Sequence, residues 1–267
     1  MRSNNPVFSN SEAFSKGGGY ATFEPTPGQL QEMYDRPAAT PVQTRRMTVD
    51  DVIMKTGALF AVLLVGAAIG WYLVGDTTAF GVPFIAMLVG LGLGLYISFK
   101  QSTNPALILS YAAVEGVFVG GISRWFANVY DPGIVSQAVL GTLVGFAVML
   151  VLYRTRIIRV TQKFRSMMLV ALASYLVIAL ASFVGALFGL GDGWGFYGVG
   201  GLGILLCVVG VGLAAFSLLL DFDFIENGVK QGLPERYSWL AAFGLLVTLV
   251  WLYIELLRLL AILRGDQ

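Results

Sequence analysis

A chain of 267 residues, 57% hydrophobic and only 12% charged, with a mean hydropathy of +0.76, carries more apolar surface than a soluble domain of that length can hide, and is read as a membrane protein. Its 17 basic and 16 acidic residues leave a net charge of +1, which points away from nucleic acid or any other polyanion as a partner. Histidine is absent and Cys207 is the lone cysteine, which excludes a disulfide framework, an imidazole or thiolate metal site and a histidine proton sensor. Proton chemistry therefore falls to carboxylates, and no cofactor is expected.

The chain opens with 44 residues rich in Gly, Pro, Ser and Asn and without a long apolar run, so no secretory leader is predicted. Residues 1–46 are read as a disordered cytoplasmic tail, and residues 47–267 as a membrane domain. Thr48-Val49-Asp50-Asp51 is a capping-box variant with Asp three residues after the hydroxyl cap, and predicts a short amphipathic helix leading into the first span. Apolar stretches of membrane-crossing length follow at 57–74, 82–99, 105–122, 134–153, 167–190, 196–220 and 239–263. The expected fold class is all-α, a polytopic membrane helix bundle of about seven transmembrane helices.

Basic residues orient the bundle. Arg45, Arg46 and Lys55 precede the first span, Lys100 lies between the second and third, and Arg154, Arg156, Arg159, Lys163 and Arg165 lie between the fourth and fifth. The alternate loops hold only Arg124. This pattern places the N-terminus inside and fits a bacterial plasma membrane. Seven full spans would carry Arg258 and Arg264 to the outside, so a re-entrant last segment stays open.

Many of the 33 glycines fall inside spans. Gly66 with Gly70, Gly116 with Gly120, and Gly141 with Gly145 are small-xxx-small pairs that predict close helix packing, the reading preferred over any functional one.

Charges within apolar spans are functional candidates because inserting one costs at least ~2.5–3.5 kcal/mol. Glu115 lies mid-span with no charged neighbour in sequence, as fit for a structural hydrogen bond as for lining a transport path. Asp221, Asp223 and Glu226 end the sixth span; Asp221 and Asp223 point about 200° apart on a helix, while Asp223 and Glu226 share a face. The alternative is a solvated helix end. Glu255 and Arg258 stand three apart in the last span and could simply neutralise each other. Thr248, two turns before Glu255 on the same face, extends a polar stripe along that helix. Facing carboxylates in a low-dielectric site cannot all ionise cheaply, so a shared proton makes a switch; its loss could part the helices or hold a cation such as Ca²⁺.

Three stretches together resemble the Bax-inhibitor family of membrane proteins, over about residues 47–265. Tyr111-Ala-Ala-Val-Glu115-Gly116-Val-Phe-Val-Gly120 resembles its third-span pattern. Leu220-Asp221-Phe222-Asp223 falls where members commonly show Asp-Thr-Gln, and Ala241 through Leu260 resembles the final span. The resemblance implies seven helices, a buried last helix, and an aspartate pair from the last two helices acting as a proton-sensitive latch on a calcium leak. Asp221 matches the first aspartate, with Asp223 the alternative. The second is not matched: Thr248 stands in its place, and Glu255 lies two turns on.

The leading expectation is a non-enzymatic, pH-regulated cation leak, with Ca²⁺ the expected ion and Asp221, Asp223 and Glu255 as gating carboxylates. Glu115, Thr248 and Arg258 are its pore or packing residues. The competing expectation is a non-conducting membrane protein that regulates a membrane-protease or stress-response partner, with the tail as that partner's handle. Fragments resembling an intramembrane aspartyl protease, at Tyr130-Asp131, Gly189-Leu190-Gly191-Asp192 and Pro105-Ala106-Leu107, occur in the wrong order, and Asp131 and Asp192 fall in predicted outer loops.

Overall fold

The computed structural model describes residues 45–75 and 81–265, and the tail before Arg45 lies outside them. Seven helices follow in order: α1 Val49–Val74, α2 Gly81–Lys100, α3 Pro105–Val129, α4 Gly133–Arg154, α5 Gln162–Leu187, α6 Gly200–Lys230 and α7 Tyr237–Gly265. Each is long and apolar enough to cross a membrane. Two 3₁₀ turns, Leu190–Gly193 and Gly195–Gly198, connect α5 to α6.

Local chemistry sets where the helices begin. Thr48 Oγ1 accepts from the Asp51 amide at 3.1 Å, and Asp51 Oδ2 accepts from the Thr48 amide at 3.1 Å, completing the capping box. The expected separate amphipathic lead-in does not form; one 26-residue helix runs from the cap through the first span. Asn104 caps α3 with Pro105 in its first turn, and Thr161 caps α5, both choices that satisfy amides a helix start leaves open. The spans at 105–122 and 196–220 are extended to Val129 and Lys230. At 31 residues, α6 is about 46 Å long, well beyond the ~30 Å hydrocarbon core. A helix of that length projects beyond the core at one end or both.

The first and third helices meet backbone to backbone. A Cβ at Gly66 would lie 2.4 Å from the Ala113 carbonyl, one at Gly116 2.3 Å from the Leu63 carbonyl, and one at Gly120 1.9 Å from the Ala67 carbonyl. Two of the three predicted glycine pairs thus face each other across one seam, where close packing replaces the absent hydrophobic drive between helices in lipid. Gly141 and Gly145 do something different: they admit the Leu256 and Leu252 side chains of α7.

The seventh helix is central. Of its most apolar window 67% is buried in the bundle, against 17% for α4 and for α5. Phe243, Leu246, Val250 and Leu257 enter a core with α1, α3 and α4, while Ala241, Leu245, Leu249 and Leu252 enter another with α6. Apolar around most of its circumference, it fits a helix surrounded by others. It is also continuous over 29 residues, so the re-entrant alternative is not the geometry found. Its awkward arginines are neutralised locally: Arg258 pairs with Glu255 at 3.1 Å and Arg264 with Asp131 at 2.7 Å.

The residues just before α1 strap the α6–α7 turn. Met47 donates its amide to the Leu233 carbonyl at 2.7 Å, and Glu235 donates to the Arg45 carbonyl at 2.9 Å. Arg46 forms a β-bridge with Pro234. Arg45 and Arg46, assigned to the tail on composition, belong with the membrane domain.

Candidate functional site

The α6–α7 interface carries two buried carboxylates in contrasting surroundings. Asp221 projects from α6 toward Gly244 and Thr248, which stand one turn apart on the same face of α7. A Cβ at Gly244 would stand 3.4 Å from Asp221 Oδ1, an ordinary van der Waals distance, which places the carboxyl close to the α7 backbone. The Thr248 side chain, 8% exposed, faces that carboxyl. Asp221 Oδ2 is buried without a hydrogen-bond partner among the described residues. Leaving a buried polar atom unsatisfied costs about 1–3 kcal/mol, more when it is charged.

Glu255, 2% exposed, has the opposite surroundings. Its Oε1 accepts from the Tyr175 hydroxyl at 2.8 Å, the Trp251 indole at 3.0 Å and Arg258 at 3.2 Å, and its Oε2 accepts from Arg258 at 3.1 Å. Because Tyr175 has one hydroxyl proton and donates it to Glu255, the 2.8 Å contact between Tyr175 and Tyr197 must have Tyr197 as donor. The Arg258 guanidinium stacks 4.3 Å from the Tyr197 ring centroid, a cation–π contact. On α6, Gly210 is what fits: a Cβ there would lie 2.3 Å from the Tyr175 oxygen and 2.8 Å from the Glu255 carboxyl carbon. One carboxylate thereby ties α5, the 3₁₀ turn, α6 and α7 together.

The candidate gating residues are accordingly not one cluster. Asp221 meets Thr248, whereas Glu255 lies seven residues beyond Thr248, about 10 Å further along α7. Asp223 pairs with Arg165 of α5, and Glu226 takes Arg156 at 2.6 Å together with Tyr153 and Lys230. The expected closure of Asp221 or Asp223 against Glu255 is not formed, because Arg258, Trp251 and Tyr175 already occupy the Glu255 carboxyl. Glu115 stands apart on another side of α7. It lines a cleft of about 280 Å³ between α2, α3 and α7, against Tyr111 and Gly90. Among the described residues, no group of three or more Asp, Glu or Cys gathers as a metal site. Asp131 sits at the α3–α4 turn, half exposed and paired with Arg264, not at the mid-membrane depth an intramembrane protease needs.

Sequence reasoning missed Tyr175, Tyr197, Trp251 and Gly210. Trp251 was within reach, since it precedes Glu255 by one helical turn on its own face. Tyr175 offered the weaker signal of a phenol in the middle of an apolar run, where its hydroxyl needs a partner. Tyr197 and Gly210 had no signal, because their role exists only across helices.

Comparison with known proteins agrees with this architecture. A search of curated proteins returned no match. The family model described as Bax inhibitor 1 like matches residues 5–265, so the likeness first drawn over 47–265 extends into the tail. The chain belongs to the Bax inhibitor 1 like family.

Proposed function

We propose that the chain is a proton-regulated cation leak, with Ca²⁺ the expected ion, in which Asp221 is the titrating group and Thr248 its neutral partner. The supporting observation is the buried, unpartnered Oδ2 of Asp221 at the contact between α6 and α7. When protonated, this carboxyl is a neutral group against a hydroxyl and the helices stay in contact. When ionised, it is a charge in a poorly solvating place, and admitting water or a cation relieves that cost. A hydroxyl in place of a second carboxylate makes the switch depend on a single site.

The reading assigns no catalytic residue. It places the protein in a bacterial plasma membrane, with the N-terminus on the cytoplasmic side, on the strength of the Lys and Arg distribution. Its test is Ca²⁺ entry into dye-loaded proteoliposomes over a pH series. Wild type should leak with a pH dependence, and Asp221→Asn should hold at the level wild type shows at acid pH. A well-folded protein with no flux at any pH overturns the reading and leaves the non-conducting, regulatory one. That second reading draws support from the internal pairing of Asp223, Glu226, Glu255 and Arg264, which ties the ionic groups of α6 and α7 into the bundle.

A further inference from the structure

Two ionic clusters lie at the membrane face where α1 begins, and they differ in balance. Beside the strap, Arg45 and Lys55 meet Asp51 and Glu235 in a closed set, with Arg45–Asp51 at 3.0 Å, Arg45–Glu235 at 3.5 Å and Lys55–Glu235 at 3.1 Å. The α4–α5 corner, residues 154–165, carries Arg154, Arg156, Arg159, Lys163 and Arg165 and no acidic residue, and the end of α6 brings Lys230 with Asp223 and Glu226 to it. Arg156, Arg165 and Lys230 find those carboxylates. Arg154, Arg159 and Lys163 are exposed and make no ion pair among the described residues.

The local backbone sharpens the imbalance. Lys163 and Arg165 occupy the first turn of α5, which holds no acidic residue. A helix N-terminus carries partial positive charge and favours anions, so cations there are in the wrong place unless an anion joins them. Asp223 supplies one through Arg165, and among the described residues no carboxylate pairs with Lys163. Position identifies the missing anion. The least buried helices of the bundle are α4 and α5, so their joined ends lie on its perimeter at the level of lipid headgroups. Between the arginines, Ile157 is 70% exposed, an apolar side chain suited to the acyl boundary beneath those headgroups.

We propose that the α4–α5 corner binds an anionic phospholipid headgroup, through Arg154, Arg159 and Lys163 with the amide end of α5, while Ile157 enters the acyl layer. Arg156 and Arg165 lie beside the same headgroup but remain tied to Glu226 and Asp223, so the site adjoins the end of α6 that carries Asp221. The proposal does not depend on the leak.

The test is lipid retention by the full chain in detergent, read by native mass spectrometry against equal amounts of phosphatidylglycerol and phosphatidylcholine. Wild type should retain phosphatidylglycerol preferentially. Each of Arg154→Gln, Arg159→Gln and Lys163→Gln should reduce that preference roughly fivefold, the usual worth of one basic residue near an anionic surface. Lys100→Gln, another exposed cation at the same face, should leave it unchanged. Helical circular dichroism verifies that each single variant is folded. Equal retention of the two lipids by wild type, or an unchanged preference in folded single variants, overturns the proposal. So does an equal loss in Lys100→Gln. Complete displacement by excess inorganic phosphate would assign the corner to a free anion and also overturn it.

Discussion

Asp221 and Glu255 are both carboxylates buried between α6 and α7, about 10 Å apart along the bundle, yet their surroundings differ. Glu255 has four donated hydrogen bonds and a cation. Asp221 has a hydroxyl neighbour and an oxygen with no hydrogen-bond partner among the described residues. A charge whose donors are all supplied in one conformation resists moving, because any rearrangement strips it of partners within lipid. A carboxyl that the fold leaves partly unsatisfied loses little by moving and gains by finding water. Burial by itself therefore does not mark a switch; the satisfaction of the buried group decides between anchor and switch.

This contrast predicts how each site breaks. Largest is the anchor: Arg258→Met leaves Glu255 buried without its cation and should lower stability by about 3–5 kcal/mol, seen as a collapse of the thermal midpoint in detergent. Adding Glu255→Gln to Arg258→Met should recover part of that loss, since the uncompensated charge is gone. A midpoint unchanged by Arg258→Met would remove the anchor from the account. Next is the α1–α3 seam, where Gly120→Ala sets a Cβ 1.9 Å from the Ala67 carbonyl; overpacking of this kind costs about 1–3 kcal/mol, measurable in the same melts. Smaller still is Asp221→Asn, which replaces an ionisable group by a neutral one and should raise the midpoint at alkaline pH by the equivalent of about 1 kcal/mol. A lowered midpoint would mean that the ionised carboxylate is well solvated after all. Smallest is Asp223→Asn. Its Arg165 partner is 47% exposed, and breaking such a pair should change stability by at most about 1 kcal/mol.

The same contrast shows what a sequence conveys. The seven helices were legible because lipid demands long apolar runs, and the Thr48–Asp51 cap and the glycine pairs of α1 and α3 were legible because their chemistry is local or periodic. Glu255 with Arg258 could be read from spacing on one helix. The placement of Thr248 opposite Asp221 followed from family resemblance, and the geometry agrees with that register. The grouping of Asp221 and Asp223 with Glu255 was not reliable, because residue type alone made all three look like members of one switch. Satisfaction depends on Tyr175 and Tyr197, which come from elsewhere in the chain, and on Gly210, whose missing side chain admits the cluster. Periodicity along a single helix carries no information about such partners. The extension of α6 past position 220 was also missed, because its charged end ends the apolar run without ending the helix.

The most direct test compares the pH profile of Ca²⁺ entry into proteoliposomes for wild type, Asp221→Asn and the Glu255→Gln/Arg258→Met double variant, each verified as folded. The account predicts a flat profile for Asp221→Asn and a wild-type pH dependence in the double variant, even if its amplitude falls. A flat profile in the double variant with pH dependence retained in Asp221→Asn would exchange the two roles and contradict the account.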